Sequence, residues 1–101
     1  MSTEGIAQKR FVVLGRVGMD ITAEPIGAAV PEATGMMVSM GGSSANIAAG
    51  LVKLGCVASL VTCVSDDGVG HYCLNQLEAY GIGRAHVRAI KGEERTSLAV
   101  V

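Results

Sequence analysis

The sequence predicts an α/β fold built on a mostly parallel, helix-covered sheet. Three observations lead there. Short apolar strands alternate with helical segments of about a dozen residues, the signature of β-α-β units. Residues 56–64 (CVASLVTCV) form an almost unbroken apolar run, the type buried on both faces of a parallel sheet. Glycines stand at the predicted starts and ends of both helices, where the chain must turn tightly.

In order along the chain, a polar leader occupies residues 1–9. Residues 10–15 (RFVVLG) then read as a buried strand ending in glycine. Residues 16–24 continue as a more polar extended segment containing Asp20. Both prolines fall between 25 and 34, which reads as a loop, and residues 36–40 (MMVSM) form the next strand. A helix is expected from Ser43 or Ser44, serines being good N-caps, with Ile47, Leu51 and Leu54 at helical spacing and Gly55 closing it. Its other strip, Ala45, Ala48, Ala49 and Val52, is small enough to lie close on a sheet. After the strand at 56–64, the turn Ser65-Asp66-Asp67-Gly68-Val69-Gly70 leads into a second helix, running to Tyr80. Val69, Tyr72, Cys73, Leu77 and Tyr80 supply its apolar face. Asp66 and Asp67 precede that helix, so capping is their expected role. Residues 85–90 are a further strand, 91–94 a charged turn and 96–101 a last strand. An apolar strand ending at Val101, with no cap or polar tail, leads us to expect the N-terminal piece of a larger protein.

Composition narrows the function. Half of the 101 residues are apolar and 17% are charged, and eight Lys and Arg against nine Asp and Glu leave a net charge of −1. That balance argues against disorder and against a nucleic-acid or anionic-membrane partner. Phe11, Tyr72 and Tyr80 are the only aromatics, too few for a base-stacking platform. Residues 33–52 carry no charge, yet nine polar or glycine residues interrupt them, so they do not read as a membrane span. The N-terminus lacks the basic-then-apolar order of a signal peptide. Cys56, Cys63 and Cys73 fit no C-x-x-C spacing and read as reduced, buried thiols of a cytoplasmic protein. His71 and His86, fifteen residues apart, have no second ligand at metal-ligand spacing beyond Cys73, so no metal site is expected.

Two features carry potential chemistry. Gly41-Gly42-Ser43-Ser44-Ala45-Asn46 joins a strand to a helix; such a turn brings backbone N–H groups and the positive end of a helix dipole to an electron-rich oxygen. Asn46 adds a donor pair and an acceptor in the first helical turn. The same residues also serve as a plain glycine turn ahead of a capped helix. They match neither a Walker P-loop nor G-x-G-x-x-G. Asp20 lies five residues past a buried strand, in Gly15-Arg16-Val17-Gly18-Met19-Asp20. There a carboxylate faces the crevice where α/β sheets bind ligands, or else is simply solvated.

Gly41-Gly42-Ser43-Ser44-Ala45-Asn46-Ile47-Ala48, Gly55 and Val64-Ser65-Asp66-Asp67-Gly68-Val69-Gly70 together resemble the N-terminal signature of the ribokinase-type (phosphofructokinase-B type) carbohydrate kinases. Ser44 stands where Gly, Ala or Pro is usual, and Ser65 where Gly is usual. The resemblance runs from about Arg10 to Val101. It implies the N-terminal part of a three-layer α/β/α kinase domain, with strands of a small β-sheet lid near 16–40 and 95–101. It implies that Asp20 holds substrate hydroxyls and that Gly41, Gly42 and Asn46 hold the rest of a small-molecule sugar or sugar acid. The charges of Arg16 and Arg95 suit a sugar-acid carboxylate. In many relatives the lid strands also form a homodimer interface. ATP and Mg²⁺ are implied for the complete enzyme, with none bound by this segment alone. The family's Gly-Ala-Gly-Asp anion hole and catalytic aspartate lie further along than these 101 residues, so no catalytic residue is expected here and the chain alone is expected to be inactive. A sugar-binding or dimerising module without catalysis is the other reading open to such a chain.

Overall fold

A computed structural model describes residues 9–100, leaving residues 1–8 of the expected leader and Val101 outside the description. Six strands and two helices follow in the order β1 (Arg10–Leu14), β2 (Gly18–Glu24), β3 (Gly35–Gly41), α1 (Ser43–Lys53), β4 (Val57–Ser65), α2 (Gly68–Ala79), β5 (Gly83–Ile90) and β6 (Ser97–Val100). A short 3₁₀ turn, Val30–Glu32, lies in the loop that holds both prolines.

The strands form two sheets rather than one. β1, β4 and β5 make a parallel sheet in the order β1-β4-β5, with Val13 opposite Leu60 and Val64 opposite Ala89. β2 is the centre of the second sheet, β3-β2-β6, antiparallel to β3 and parallel to β6. Residues 16–24, an extended segment by local pattern and part of a small sheet by the family resemblance, include a strand with partners on both sides.

Both helices pack into one core on the parallel sheet. Ala45, Ala48 and Ala49 of α1 and Cys73 and Leu77 of α2 are buried with Ala58, Leu60 and Val64 of β4. Small alanines let the α1 backbone approach the strands closely. The apolar spacing of Ile47 and Leu54 belongs instead to the outer side of α1, where they are 58% and 52% exposed. The far side of the parallel sheet is open as well, with Val12 at 69% and Leu14 at 75% exposure. Strand alternation puts Cys63 on that open side with Val57. Cys63 is therefore exposed, against expectation, while Cys56 and Cys73 are buried. Burial, helped by the nearby Asp67 charge, pushes the Cys73 thiol up to about 11, so it acts as a neutral core residue. The described residues thus build two layers, one sheet and one layer of helices, beside the smaller sheet. No helix among them is long and apolar enough to cross a membrane.

The helix starts differ in kind. α2 is capped as expected: Asp67 accepts from the Gly70 N–H at 2.9 Å. Asp66 instead pairs with His71 at 2.8 Å. A side chain at Gly70 would collide with the Ser65 carbonyl, so only glycine lets the first turn of α2 rest on the end of β4. α1 has no side-chain cap. Its N-cap is Gly42 rather than a serine, and the Ser44 hydroxyl is used elsewhere, donating to the Leu14 carbonyl at 3.2 Å.

Two outcomes follow from this packing. An open apolar sheet face is a template for association. The 101-residue chain is therefore expected to self-associate, eluting ahead of a monomer in size-exclusion chromatography under reductant. A sharp monomer peak, with cooperative unfolding worth about 5 kcal/mol or more, would contradict this. The second concerns Asp67, whose bonds to the Gly70 amide and the Ser65 hydroxyl hold its carboxyl below the usual aspartate value. Because the folded value is the lower one, Asp67 stabilises the fold above the unfolded-state pKa and loses that effect as acid protonates it. Nuclear magnetic resonance titration of the folded protein should show a depressed Asp67 midpoint that moves up in Ser65→Ala.

Candidate functional site

The end of β1, the start of β2, the N-terminus of α1 and the start of β6 converge around a cleft of about 200 Å³. Gly15, Arg16, Asp20, Gly42, Ser43 and Ser97 are among its walls. The volume is below the roughly 300–1,000 Å³ of drug-sized pockets and suits a small polar molecule.

Asp20 is the cleft's acceptor. It is half-buried on β2, opposite Ser39 of β3 and Ala99 of β6. Its carboxylate lies across Gly41, where an added Cβ would strike Oδ1, Cγ and Oδ2 together. Glycine at 41 thus makes the room in which this carboxylate sits. The next residue is constrained for a different reason. Gly42 has φ +96°, a conformation that disfavours side chains, and a Cβ there would lie 2.6 Å from the Arg16 carbonyl oxygen. These two glycines turn β3 straight into α1 and bring the helix start against Asp20.

The first amides of a helix have no intrahelical acceptor, and Ser43 and Ser44, the first residues of α1, line the cleft. They offer N–H donors with the positive end of the helix dipole behind them. Arg16 adds a cation on the same cleft. An ionised carboxylate can accept from two neighbouring hydroxyls while the amides and the Ser43 hydroxyl bind the oxygens beyond. The arrangement suits a polyhydroxylated small molecule.

Of the residues singled out in the sequence, Asp20, Gly42 and Arg16 are brought together, with Gly41 directly under the carboxylate. Asn46 is exposed on α1; its backbone N–H bonds the Gly42 carbonyl at 3.0 Å, and it is not among the cleft walls. Arg95 lies elsewhere. It borders a second cleft, of about 220 Å³, between the ends of β4 and β5 and residues 91–96. Its guanidinium bonds the Gly92 carbonyl and, at 3.2 Å, that of Glu94, with Nε 3.7 Å from the Asp67 carboxylate. Gly15, Ser44 and Ser97 were not singled out as site residues. The glycine-rich stretch around Arg16 hinted at the first, whereas Ser97 reaches the cleft only through the pairing of β6 with β2.

No group of three His, Cys, Asp or Glu side chains among the described residues is arranged to hold a metal ion. The Asp20 cleft has one arginine and one carboxylate, a donor set that does not fit a metal-bound triphosphate. We therefore derive no step through Mg²⁺-ATP from these residues.

Comparison with known proteins agrees with this architecture. A 5-dehydro-2-deoxygluconokinase of Photobacterium profundum is 34% identical over 88 residues, covering 87% of this chain and 27% of its own length. The crystal structure of a PfkB family carbohydrate kinase from Listeria grayi superposes with a TM-score of 0.79 at 24% identity, covering 89% of this chain and 27% of that one. That of 2-dehydro-3-deoxygluconokinase from Thermotoga maritima gives a TM-score of 0.79 at 22% identity, covering 90% and 27%. At these identities the two structures speak for the fold alone. The chain spans about a quarter of the length of the curated relatives it matches. With residues 8–101 matching the pfkB family carbohydrate kinase, the chain belongs to that family.

Proposed function

We propose that this chain is the acceptor-binding part of an ATP-dependent, cytoplasmic sugar kinase, and that the acceptor is 5-dehydro-2-deoxygluconate. The observation that carries the reading is the Asp20 carboxylate, seated over Gly41 beside the uncapped N-terminus of α1. The curated relatives at 34% identity support the choice of sugar acid.

In this reading Asp20 accepts hydrogen bonds from two substrate hydroxyls, and the first-turn amides of α1 bind neighbouring oxygens. Gly41 and Gly42 keep that corner open. Arg16 pairs with the substrate carboxylate, and Asn46 reaches substrate from the outer side of the first turn. Arg95, held by Gly92, Glu94 and Asp67, is left out of acceptor binding. Orientation of this kind turns a bimolecular encounter into a positioned reaction. Phosphoryl transfer also requires stabilised phosphate charge and an activated hydroxyl. We assign those tasks, with ATP and Mg²⁺, to the rest of the enzyme. The lid sheet exposes Met36, Met37, Val38, Leu98 and Val100, which we assign to a homodimer contact in the complete enzyme.

The decisive assay compares acceptors in the full-length protein: 5-dehydro-2-deoxygluconate, 2-dehydro-3-deoxygluconate, ribose and fructose, by ADP release. Preference for the first supports the reading, and preference for another replaces the substrate. The 101 residues alone should release no ADP above background. Asp20→Ala should lower kcat/KM by about 2–4 kcal/mol, roughly 30- to 1,000-fold, with little change in melting temperature. Gly41→Ala should fall in the same direction, since its methyl group displaces the carboxylate. Arg16→Met should raise KM for a sugar acid and leave a neutral sugar unaffected. Wild-type kinetics in Asp20→Ala would remove it from the site.

A further inference from the structure

Ser65 ends β4, beyond the Asp20 cleft, and is 5% exposed. Its partners lie 31 residues away at Thr96, immediately before β6. The Ser65 N–H donates to Thr96 Oγ1 at 2.7 Å, and the Thr96 N–H donates to Ser65 Oγ at 3.0 Å. The two hydroxyl oxygens are 2.7 Å apart, and Ser65 Oγ is also 2.7 Å from Asp67 Oδ1.

Proton counting resolves the directions. A serine hydroxyl has one proton and two lone pairs. Ionised Asp67 can only accept, so the Ser65 proton points to it. The Thr96 hydroxyl must then donate to Ser65 Oγ, whose second lone pair takes the Thr96 N–H. Every hydrogen-bonding position on Ser65 Oγ is filled. Three bonds, two of them involving backbone amides, clamp the two segments together.

The clamp joins the two sheets. Ser65 is on the parallel sheet, and Thr96 leads directly into a strand of the other one. β6 in turn pairs with β2 in the register Gly18–Ser97 and Asp20–Ala99. A Cβ on Gly18 would lie 2.7 Å from the Ser97 carbonyl, so glycine is what lets the start of β6 lie this close against β2 and hold that register. Movement at Thr96 is therefore passed to the strand that carries Asp20. A glycine at position 65 would supply none of the hydroxyl bonds.

We propose that Ser65 is a positioning residue: through Thr96 and β6 it sets how the lid sheet, and Asp20 with it, stands over the parallel sheet. The consequence for catalysis rests on the reading of Asp20 as an acceptor ligand; the mechanical coupling does not. Loss of the hydroxyl frees the start of β6 and loosens the placement of Asp20 without removing any group that touches substrate.

The test uses the full-length protein with Ser65→Ala, Ser65→Gly, Thr96→Val and Thr96→Ser. Hydrogen exchange at residues 96–99 should quicken about tenfold or more in the first three, each of which removes two of the three clamp bonds, and stay near wild type in Thr96→Ser. Exchange at residues 57–61 should be unchanged in all four. KM for the acceptor should rise about tenfold with KM for ATP and kcat held within about twofold, and Ser65→Ala with Thr96→Val should be no worse than either alone. Unchanged exchange at 96–99, or equal quickening throughout β4, would overturn the coupling. Quickened exchange at 96–99 with an unmoved acceptor KM would overturn the link to Asp20. A wild-type enzyme that phosphorylates none of the sugars would instead sink the kinase reading while the exchange results still decided the coupling.

Discussion

The passage of the backbone through Gly41 and Gly42 is the constraint on which the rest of the site depends. At this point β3 becomes α1 with no intervening loop, between the Asp20 carboxylate on one side and the Arg16 carbonyl on the other. Neither residue can carry a side chain without moving one of those groups. The tight passage has two effects. It starts the helix at positive φ, without a capping side chain on its first turn. It also fixes the small sheet against the large one, because β3 is hydrogen-bonded to β2 while α1 is packed on β4.

The packing of α1 supports the same end. Ala45, Ala48 and Ala49 bury completely or nearly so. Small side chains give up part of the hydrophobic stabilisation that leucines would contribute, about 25 cal/mol per Å² of apolar area. In return the helix axis lies close to the strands, and its N-terminus comes level with the end of β1. The Ser44 bond to the Leu14 carbonyl secures that level. A bulkier strip would lift the helix and draw its amides away from Asp20.

Local pattern revealed most of the elements and less of how they meet. The strands and helices were readable because apolar periodicity and glycine punctuation are local signals, and the Asp67 cap belonged to the same class. The division into two sheets was not readable from periodicity. β2 carries polar residues on a strand whose partners, β3 and β6, are distant from one another in sequence, and only the resemblance to a family implied a separate small sheet. The facing of α1 was ambiguous in the same way: Ile47 and Leu54 are the more hydrophobic residues, yet the alanines are buried, since close approach decided the orientation. In the cleft, Asp20 and Gly42 were legible from the glycine-rich segments around them, and Arg16 from its charge. Arg95 shows the limit of charge as a guide. It is near β6, as expected, but carbonyl acceptors within its own turn and Asp67 take up its guanidinium.

Ser65 illustrates how one residue joins local and long-range order. Its hydroxyl supports the α2 cap by bonding Asp67, a contact two residues along the chain, and the small sheet by bonding Thr96, a contact 31 residues along. Folding the first contact costs little chain entropy, whereas the second closes a long loop. Asp67, aligned by the Gly70 amide, takes the Ser65 proton. Both lone pairs of the oxygen are thereby left to Thr96. Helix cap and small-sheet attachment are in this sense one network, meeting at a single hydroxyl oxygen.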